Sequence, residues 1–255
     1  MRAPQSNLPQ LAADILRRIR ERGPRVHCIT NTVAQAFTAN VLLAIGAVPS
    51  MTIAAEEIAA FVSGADGLLV NLGTFDAERR TAIDLALSSG KRRIPWVLDP
   101  VFIDRSAARR DYARALVAKS PTAVRLNRAE FGALSGGTSE PEDLARYASQ
   151  HGTIVGLTGA TDLVSDGRRA VELNNGTPLM SRVTAMGCAG SAVVAACLAV
   201  EPDSWAATAA GVLLLGVAGE IAALHVRGPG SFSFAIVDAL NELDEEMLLQ
   251  RARVY

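Results

Sequence analysis

One short segment of the chain combines small residues, a thiol and the start of an apolar helix. It runs Thr184-Ala185-Met186-Gly187-Cys188-Ala189-Gly190-Ser191 and leads into Ala192–Val200. Backbone N–H groups at a helix N-terminus lack intrahelical partners, and the helix dipole adds partial positive charge, so this turn can bind a phosphoryl group. Cys188 is predicted in the first helical turn, where the pKa of a thiol tends to fall and the thiolate can accept a proton. The same small residues fit tight packing of a helix on a sheet equally well.

The histidines and several common catalytic motifs give no indication of chemistry elsewhere. His27, His151 and His225 have no metal-ligand spacing among themselves or with the cysteines. The chain has no G-x-x-x-x-G-K-[ST] phosphate loop, no G-x-S-x-G elbow and no G-x-G-x-x-G after the first predicted strand. A nicotinamide dehydrogenase is therefore unsupported.

Predicted strands and helices, which must position this turn, alternate along the chain. The predicted strands are Val26–Ile29, Pro49–Ile53, Gly67–Asn71, Trp96–Asp99, Ala123–Leu126 and Thr153–Leu157. The predicted helices between them are Ala34–Ala44, Asp76–Ser89, Ala107–Lys119 and Glu140–Gln150, the last with Ser139 as its N-cap. Apolar strands separated by helices indicate a mostly parallel sheet covered on both faces.

Two further features complete the predicted sheet. Asp162–Ser165 and Ala170–Leu173, joined by the turn Asp166–Gly167, predict a hairpin at one edge, and the chain is nearly all helical after Gly187. Ligands of open α/β sheets usually bind at the carboxyl ends of the strands. The residues there are Thr30 and Asn31, Asn71–Thr74, Asp99 and Pro100, Asn127, and Thr158 and Gly159. Each of them alone also fits an ordinary turn.

Composition limits the class of protein. The 255 residues are 49% hydrophobic and carry a net charge of −1, which disfavours a nucleic-acid partner. Three cysteines are too few for a disulfide framework and indicate a reducing cytoplasm. The basic N-terminal segment lacks the apolar region of a signal peptide. Its pattern partly resembles a mitochondrial presequence but also fits an amphipathic surface helix, and we predict one domain over residues 1–255.

One stretch, Ala206–Val226, is apolar enough to suggest a membrane span. It contains Glu220 and His225, and a carboxylate inside a membrane is energetically expensive. We therefore expect a helix buried within a soluble protein, not a membrane protein.

Several ordered segments together resemble the hydroxyethylthiazole kinases, thiamine-salvage enzymes of the ribokinase-like superfamily. They are Val26–Asn31, Phe37–Asn40, Gly46–Met51 with Glu56–Glu57, Val70–Thr74, Leu98–Val101, Arg125–Glu130, Leu157–Gly159, Gly187–Cys188 and Gly228–Phe232. The resemblance implies a three-layer α/β/α ribokinase-like fold with a mostly parallel central sheet and no lid domain. It also implies transfer of the ATP γ-phosphate, with Mg²⁺, to the alcohol of 4-methyl-5-(2-hydroxyethyl)thiazole, in a homotrimer whose sites lie at subunit interfaces.

The resemblance also implies roles for particular residues. Cys188 would be the catalytic base. The implied ligand contacts are Arg125 and Thr158 for the ATP phosphates, Met51, Asn31 and Ala185 for the thiazole, and Glu130 and Asp99 for Mg²⁺, with Asn127 and Glu130 forming an N-x-x-E pattern. Each residue also has a structural interpretation: Met51 as core, Arg125 as a surface ion-pair partner, and Glu130 as an acid at a helix N-terminus.

The chain departs from the family pattern where phosphate should bind. Ala185 stands where the family usually has glycine, Met186 replaces a small residue, and Leu126 replaces the glycine of R-G-N. Phe102–Asp104 replaces a run of small residues, and Asp104 is either a carboxylate for a metal or a helix cap. Because glycine lets a backbone approach phosphate closely, these changes threaten the shape of the pocket or the affinity for nucleotide.

Three alternatives remain open. The nicotinamide-nucleotide hydrate dehydratases share the fold but place aspartate at the position of Cys188. Pyrimidine and pyridoxal kinases are nearer competitors, although Cys28–Asn31 and Gly228–Phe232 favour the thiazole enzyme. The third alternative is a degenerate relative that binds thiazole without catalysis.

Overall fold

The structure is a computed structural model that describes residues 7–88 and 94–255. The strands are β1 (Arg25–Ile29), β2 (Val48–Ser50), β3 (Gly67–Asn71), β4 (Trp96–Asp99), β5 (Ala123–Asn127), β6 (Ile154–Thr158), β7 (Asp162–Ser165) and β8 (Ala170–Leu173). The helices are α1 (Leu8–Arg22), α2 (Gln35–Ala44), α3 (Ile58–Ser63), α4 (Ala77–Ser88), α5 (Ala107–Val117), α6 (Arg128–Ser135), α7 (Pro141–His151), α8 (Met186–Val200), α9 (Ser204–Ala223), α10 (Pro229–Glu242) and α11 (Glu245–Arg251), with a 3-10 helix at Pro178–Arg182.

The strands form one sheet in the order β2-β1-β3-β4-β5-β6-β7-β8. Strands β1 to β6 are parallel to one another, whereas β7 and β8 are antiparallel and form the predicted hairpin at one edge. Parallel strands require helical crossovers, which cover the sheet, and β3 and β4 are accordingly buried along their whole length.

Helices cover both faces of the sheet. One core contains residues of α1, α2 and α8 to α11, and the other contains residues of α3 to α7. Successive residues of a strand point to opposite faces, so Leu69 joins the first core while Leu68 and Val70 join the second. This arrangement confirms the predicted three-layer fold with a mostly parallel sheet, and no lid domain is evident among the described residues.

Helix α9 explains the apolar stretch noted in the sequence. It is the one helix of residues 7–88 and 94–255 with the length and hydropathy of a membrane span, and 83% of its apolar window is buried inside the structure. Glu220 accepts hydrogen bonds from the Gly176 N–H at 2.8 Å and the Asn175 Nδ2 at 3.1 Å, and it pairs with Arg253. As expected, the helix is packed in the interior and its carboxylate is satisfied by hydrogen bonds.

Several predicted boundaries were wrong. Strand β2 ends at Ser50 instead of Ile53, and in the irregular segment that follows the Thr52 hydroxyl donates to Glu57 and accepts from the Ala54 N–H. Helix α7 has Glu140, not Ser139, as its N-cap, since Pro141 occupies the first helical position.

Helix boundaries elsewhere also differ from the predictions. Helix α4 is described from Ala77 to Ser88, and the last residue of the predicted helix, Ser89, lies outside the described residues. Helix α8 begins at Met186, six residues earlier than the predicted apolar stretch, so the small-residue turn is itself helical.

Candidate active site

The carboxyl ends of the parallel strands meet along one edge of the sheet. In spatial order across β2-β1-β3-β4-β5-β6, the residues at or just beyond these ends are Met51, Asn31, Asn71, Asp99, Asn127 and Thr158. The strand order reverses at β1, which connects to β2 on one side while β3 lies on the other. A crevice at such a switch point is where open α/β sheets usually bind ligands.

At this switch point Asn31 reaches the predicted catalytic thiol. Its Nδ2 donates to Asn71 Oδ1 and lies within hydrogen-bond distance of Cys188 Sγ, both at 3.1 Å. Its Oδ1 accepts from the Ala34 N–H at 2.9 Å, which fixes the orientation of the amide. Cys188 lies in the first turn of α8, as predicted, and is half-buried.

The same network continues to a buried carboxylate. Asn71 Nδ2 donates to Asp99 Oδ2 at 2.8 Å, and the Ser191 hydroxyl donates to the same oxygen at 2.9 Å. Asn71 and Ser191 are essentially inaccessible to solvent. Strands β1, β3 and β4 and helix α8 are therefore connected through one continuous polar network at the edge of the sheet.

Arg125 extends from β5 to the first turn of α8. Its Nη1 donates to the Gly187 carbonyl at 2.8 Å. A Cβ at Gly190 would lie 2.8 Å from Arg125 Nη2 and 2.8 Å from Leu215 Cδ2, so a side chain there would displace the guanidinium. The small residues of the turn thus allow close packing, and they leave room for the Arg125 guanidinium beside the helix N-terminus.

The ionisation of Cys188 differs from the prediction. Burial, together with the charge of Asp99, raises the pKa of the Cys188 thiol to about 12, despite the opposing effects of Asn31, Asn71 and Arg125. Desolvation disfavours the thiolate more than the two amides and the guanidinium favour it. The expectation of a lowered pKa was therefore wrong, and the thiol is protonated at neutral pH.

The two carboxylates proposed for the metal are both buried. Burial raises the pKa of Asp99, while Arg125, Asn71 and Ser191 favour its charged form. Burial also raises the pKa of Glu130, and the charge of Asp99 adds to the increase. The charge of Asp99 therefore disfavours the ionisation of Glu130, and a cation bound at these carboxylates would oppose this effect.

Glu130 also has a structural role. Its Oε2 accepts from the Asn127 N–H at 3.0 Å, and Asn127 Oδ1 accepts from the Glu130 N–H at 2.9 Å, which together form a capping box at the start of α6. Its Oε1 accepts from the Phe102 N–H at 2.9 Å. Asp104 does not cap α5, because the Ser106 hydroxyl accepts from the Arg109 N–H.

Mg²⁺ fits this donor set. Within the part of the chain that the structure describes, no three acidic, histidine or cysteine side chains form a metal-binding group. Mg²⁺ is commonly held by one or two carboxylates together with substrate phosphates and water. Asp99 and Glu130 provide such a pair, since each Glu130 oxygen accepts one hydrogen bond and both bonds to Asp99 fall on Oδ2, which leaves lone pairs on Glu130 and on Asp99 Oδ1.

The remaining predicted site residues lie around this network. Thr158 ends β6 opposite Asn127, and its hydroxyl donates to the Leu126 carbonyl at 3.3 Å. Met51 is partly buried against the core that contains α2 and α8. Ala185 is the N-cap of α8 and has a left-handed backbone, with φ of 69°.

The glycine replacements have different consequences. Leu126 directs its side chain into the core opposite α8, away from Arg125, and Met186 is buried in the first turn of α8. Ala185 and Phe102, by contrast, both have positive φ, the conformation that glycine adopts without strain. Both positions therefore have a backbone conformation that favours glycine, although neither residue is glycine.

Sequence reasoning missed how three residues act in this site. Asn71 links Asn31 to Asp99, Ser191 holds Asp99, and Arg109 donates to backbone carbonyls of the loops after β3 and β4. Ser191 stands one turn after Cys188, which is a spacing that could have indicated it. No local pattern connects Arg109 to those loops.

Comparisons with known proteins identify the family of the chain. The sequence profile of the hydroxyethylthiazole kinase family matches residues 16–246. A probable hydroxyethylthiazole kinase from Agrobacterium fabrum is 45% identical over 247 residues, which cover 95% of this chain and 94% of that relative. The structure of hydroxyethylthiazole kinase from Pyrococcus horikoshii OT3 superposes with a TM-score of 0.91 at 35% identity, covering 96% of this chain and 98% of that one.

A more distant match concerns the fold alone. A ribokinase-like superfamily protein from Enterococcus faecalis V583 superposes with a TM-score of 0.68 at 16% identity, over 91% of this chain and 95% of that one. The three-layer fold is therefore ribokinase-like. With the sequence profile and the close relatives in agreement over most of its length, the chain belongs to the hydroxyethylthiazole kinase family.

Proposed function

We propose that the protein is an ATP-dependent kinase that phosphorylates the alcohol of 4-methyl-5-(2-hydroxyethyl)thiazole and so contributes to thiamine salvage. One observation supports this most strongly: the first turn of α8, the Arg125 guanidinium and the Cys188 thiol converge on the carboxyl edge of the sheet. Transfer of a phosphoryl group to an alcohol requires positive charge around the phosphoryl oxygens and a nearby acceptor for the proton of the alcohol.

The nucleotide phosphates bind at the β5–β6 side of the edge in this proposal. The Ala189 N–H donates to the Ala185 carbonyl at 2.9 Å, so the amides of residues 186–188 precede the first intrahelical hydrogen bond and can meet an anion. Arg125 Nη1 donates to the Gly187 carbonyl at 2.8 Å, so the positive charge of the guanidinium lies beside these amides. Thr158 adds a hydroxyl at the same edge.

Charge stabilisation accounts for most of the catalysis in this scheme. A loose phosphoryl-transfer transition state spreads negative charge over the equatorial oxygens, and Arg125 and the helix N-terminus oppose that charge. When bound, Mg²⁺ supplies further positive charge at the phosphates, held by Asp99 and Glu130.

The thiazole alcohol binds on the β1–β2 side, next to Asn31, Met51 and Ala185. Cys188 lies between this side and the phosphates and accepts the proton of the attacking hydroxyl. Because its pKa is raised to about 12, the thiolate is a minor form at neutral pH, and turnover depends on that small fraction.

Three properties of the whole protein complete the proposal. The chain is a single kinase domain that acts in the cytoplasm. It assembles as a homotrimer with active sites at subunit interfaces. Light scattering coupled to size-exclusion chromatography tests the assembly, with an expected mass of three times 26.8 kDa.

Release of ADP from Mg-ATP tests the reaction. We expect release that depends on the hydroxyethyl thiazole, with hydroxymethylpyrimidine and pyridoxal as control acceptors. Release only with a control acceptor would show that the protein is a pyrimidine or pyridoxal kinase instead. Saturable thiazole binding without ADP release from any acceptor would identify a non-catalytic thiazole-binding protein.

A further inference from the structure

Arg109, on α5, joins the two loops that follow β3 and β4. Its Nη1 donates to the Leu72 carbonyl and lies 3.4 Å from the Val101 carbonyl, and its Nη2 donates to the Gly73 carbonyl at 3.2 Å. The side chain is partly buried, and its guanidinium lies 5.5 Å from the centre of the Phe75 ring. One guanidinium thus satisfies carbonyls from two loops at the carboxyl edge of the sheet.

The loop that Arg109 holds is in direct contact with the polar network of the site. The Gly73 N–H donates to Asn71 Oδ1 at 2.9 Å. A Cβ at Gly73 would lie only 2.6 Å from Asn31 Nδ2, so the Gly73 backbone packs directly against the Asn31 side chain. Gly73 is therefore in contact with both Asn31 and Asn71.

Those two amides in turn orient the reacting groups. Asn31 Nδ2 lies 3.1 Å from Cys188 Sγ, and Asn71 Nδ2 donates to Asp99 Oδ2 at 2.8 Å. The contacts run continuously from the guanidinium through Gly73 to the thiol and the carboxylate. Such positioning strongly affects the catalytic rate, because a misplacement of a reacting group by about 1 Å can slow a reaction about 10²-fold.

We propose that Arg109 is a positioning residue for phosphoryl transfer, which holds the Leu72–Gly73 loop against Asn31 and thereby sets the geometry of Cys188 and Asp99. This inference rests on the proposed kinase function. The planar fork of arginine is required, since the ammonium group of lysine is a compact donor that does not reproduce the fork.

The same helix provides a matched control. Arg114 also donates to two backbone carbonyls, with Nε 3.2 Å from the Leu134 carbonyl and Nη2 3.0 Å from the Ala133 carbonyl. Those carbonyls belong to the end of α6, and neither residue takes part in the hydrogen bonds described for the Asn31 and Asn71 side chains. Removal of Arg114 costs two backbone contacts and removal of Arg109 costs three, but of the two arginines only Arg109 lies on the path to the thiol.

The experiment compares Arg109→Ala, Arg109→Lys and Arg114→Ala with the wild-type protein in the ADP-release assay. We expect kcat to fall at least about 10-fold in both Arg109 variants and to stay within about 2-fold in Arg114→Ala, with similar losses in thermal stability for the two alanine variants. Guanidinium at low millimolar concentration should restore part of the kcat of Arg109→Ala, because it can occupy the vacated space, whereas sodium chloride at equal ionic strength should not.

A second measurement does not depend on turnover. Cys188 is the partly exposed cysteine, whereas Cys28 and Cys197 are buried, so its alkylation rate reports on its surroundings. We expect that rate to change at least about 3-fold in Arg109→Ala and not in Arg114→Ala. Equal alkylation rates in the two variants, or wild-type kcat in Arg109→Lys, would overturn the inference. A wild-type protein without thiazole-dependent ADP release would contradict the proposed function alone, since the alkylation test would remain valid.

Discussion

Two opposing effects act on the Cys188 thiol. A helix N-terminus favours the thiolate through its dipole, and Arg125 adds a positive charge. Burial and the Asp99 carboxylate act in the opposite direction and dominate, which raises the pKa to about 12. Cys188 therefore lies in a position suited to proton transfer, but only a small fraction of it is the reactive thiolate.

This combination sets the expected pH dependence of the kinase. Below the pKa, the thiolate fraction grows tenfold per pH unit, so kcat should rise steadily from about pH 7 to about pH 10 if Cys188 accepts the proton. Cys188→Ala should lower kcat by about 10²-fold or more and remove the slope, with ATP binding unchanged. Cys197→Ala, in the same helix but fully buried, is the control and should keep both kcat and the slope. Wild-type turnover in Cys188→Ala would show that the base is another group.

Ala185 carries a local conformational cost. A residue with a Cβ at φ of 69° is strained by about 1–2 kcal/mol relative to the usual helical region. Ala185→Gly should therefore raise the free energy of unfolding by up to about 1 kcal/mol, after the greater flexibility of glycine in the unfolded chain is subtracted.

Urea denaturation measures this effect, and Ala189→Gly is the matched control. Ala189 lies within the same helix α8, so glycine there should lower the free energy of unfolding by about 1 kcal/mol. Changes of the same sign in the two variants would contradict strain at Ala185.

At the scale of the element, the start of α6 couples stability to the site. The capping box joins Asn127 to Glu130, and Glu130 also accepts from the Phe102 N–H in the loop after β4. A residue proposed to hold Mg²⁺ is thus oriented by the helix that it caps.

Removal of the cap should therefore have two consequences. Asn127→Ala should lower the free energy of unfolding by about 1 kcal/mol, because the Glu130 N–H loses its acceptor, and should weaken the activation by Mg²⁺. Asp244→Ala removes the N-cap of α11 and should lower stability alone. Thermal denaturation and magnesium titration of ADP release measure the two effects. Unchanged magnesium activation in Asn127→Ala would show that the capping box does not orient Glu130 for Mg²⁺.

At the scale of the whole molecule, a buried histidine makes folding sensitive to acid. His27 on β1 is fully buried, with Nδ1 2.8 Å from Ser50 Oγ and Nε2 3.0 Å from the Thr52 carbonyl. Burial lowers the pKa of His27 to about 4. Between the ordinary value of 6.5 and about 4, the unfolded chain binds a proton at this residue that the folded protein does not.

The free energy of unfolding should therefore fall as the pH decreases from 6.5 towards 4. His27→Gln should reduce this slope, because glutamine does not titrate. Urea denaturation of both proteins at about pH 8 and about pH 5 checks this, since the histidine contributes no slope at the higher pH. An equal loss of stability in both proteins would assign the acid sensitivity to other groups.

Local patterns in the sequence determined the layered fold. Alternation of apolar strands with helices predicted the parallel part of the sheet, Asp166–Gly167 predicted the hairpin, and the small-residue turn placed Cys188 at a helix N-terminus. These features depend on neighbouring residues and on the periods of strands and helices, so the sequence alone carries them. Ordered motifs further indicated the kinase family that the relatives confirm.

Only the tertiary structure decided how the site residues act on one another. Asn31 and Cys188 are separated by 157 positions and meet because β1 and α8 pack together. The pKa of Cys188 and the two-loop contact of Arg109 likewise depend on which elements surround each group. Burial and long-range contact follow from the packing of whole elements, which no local spacing encodes.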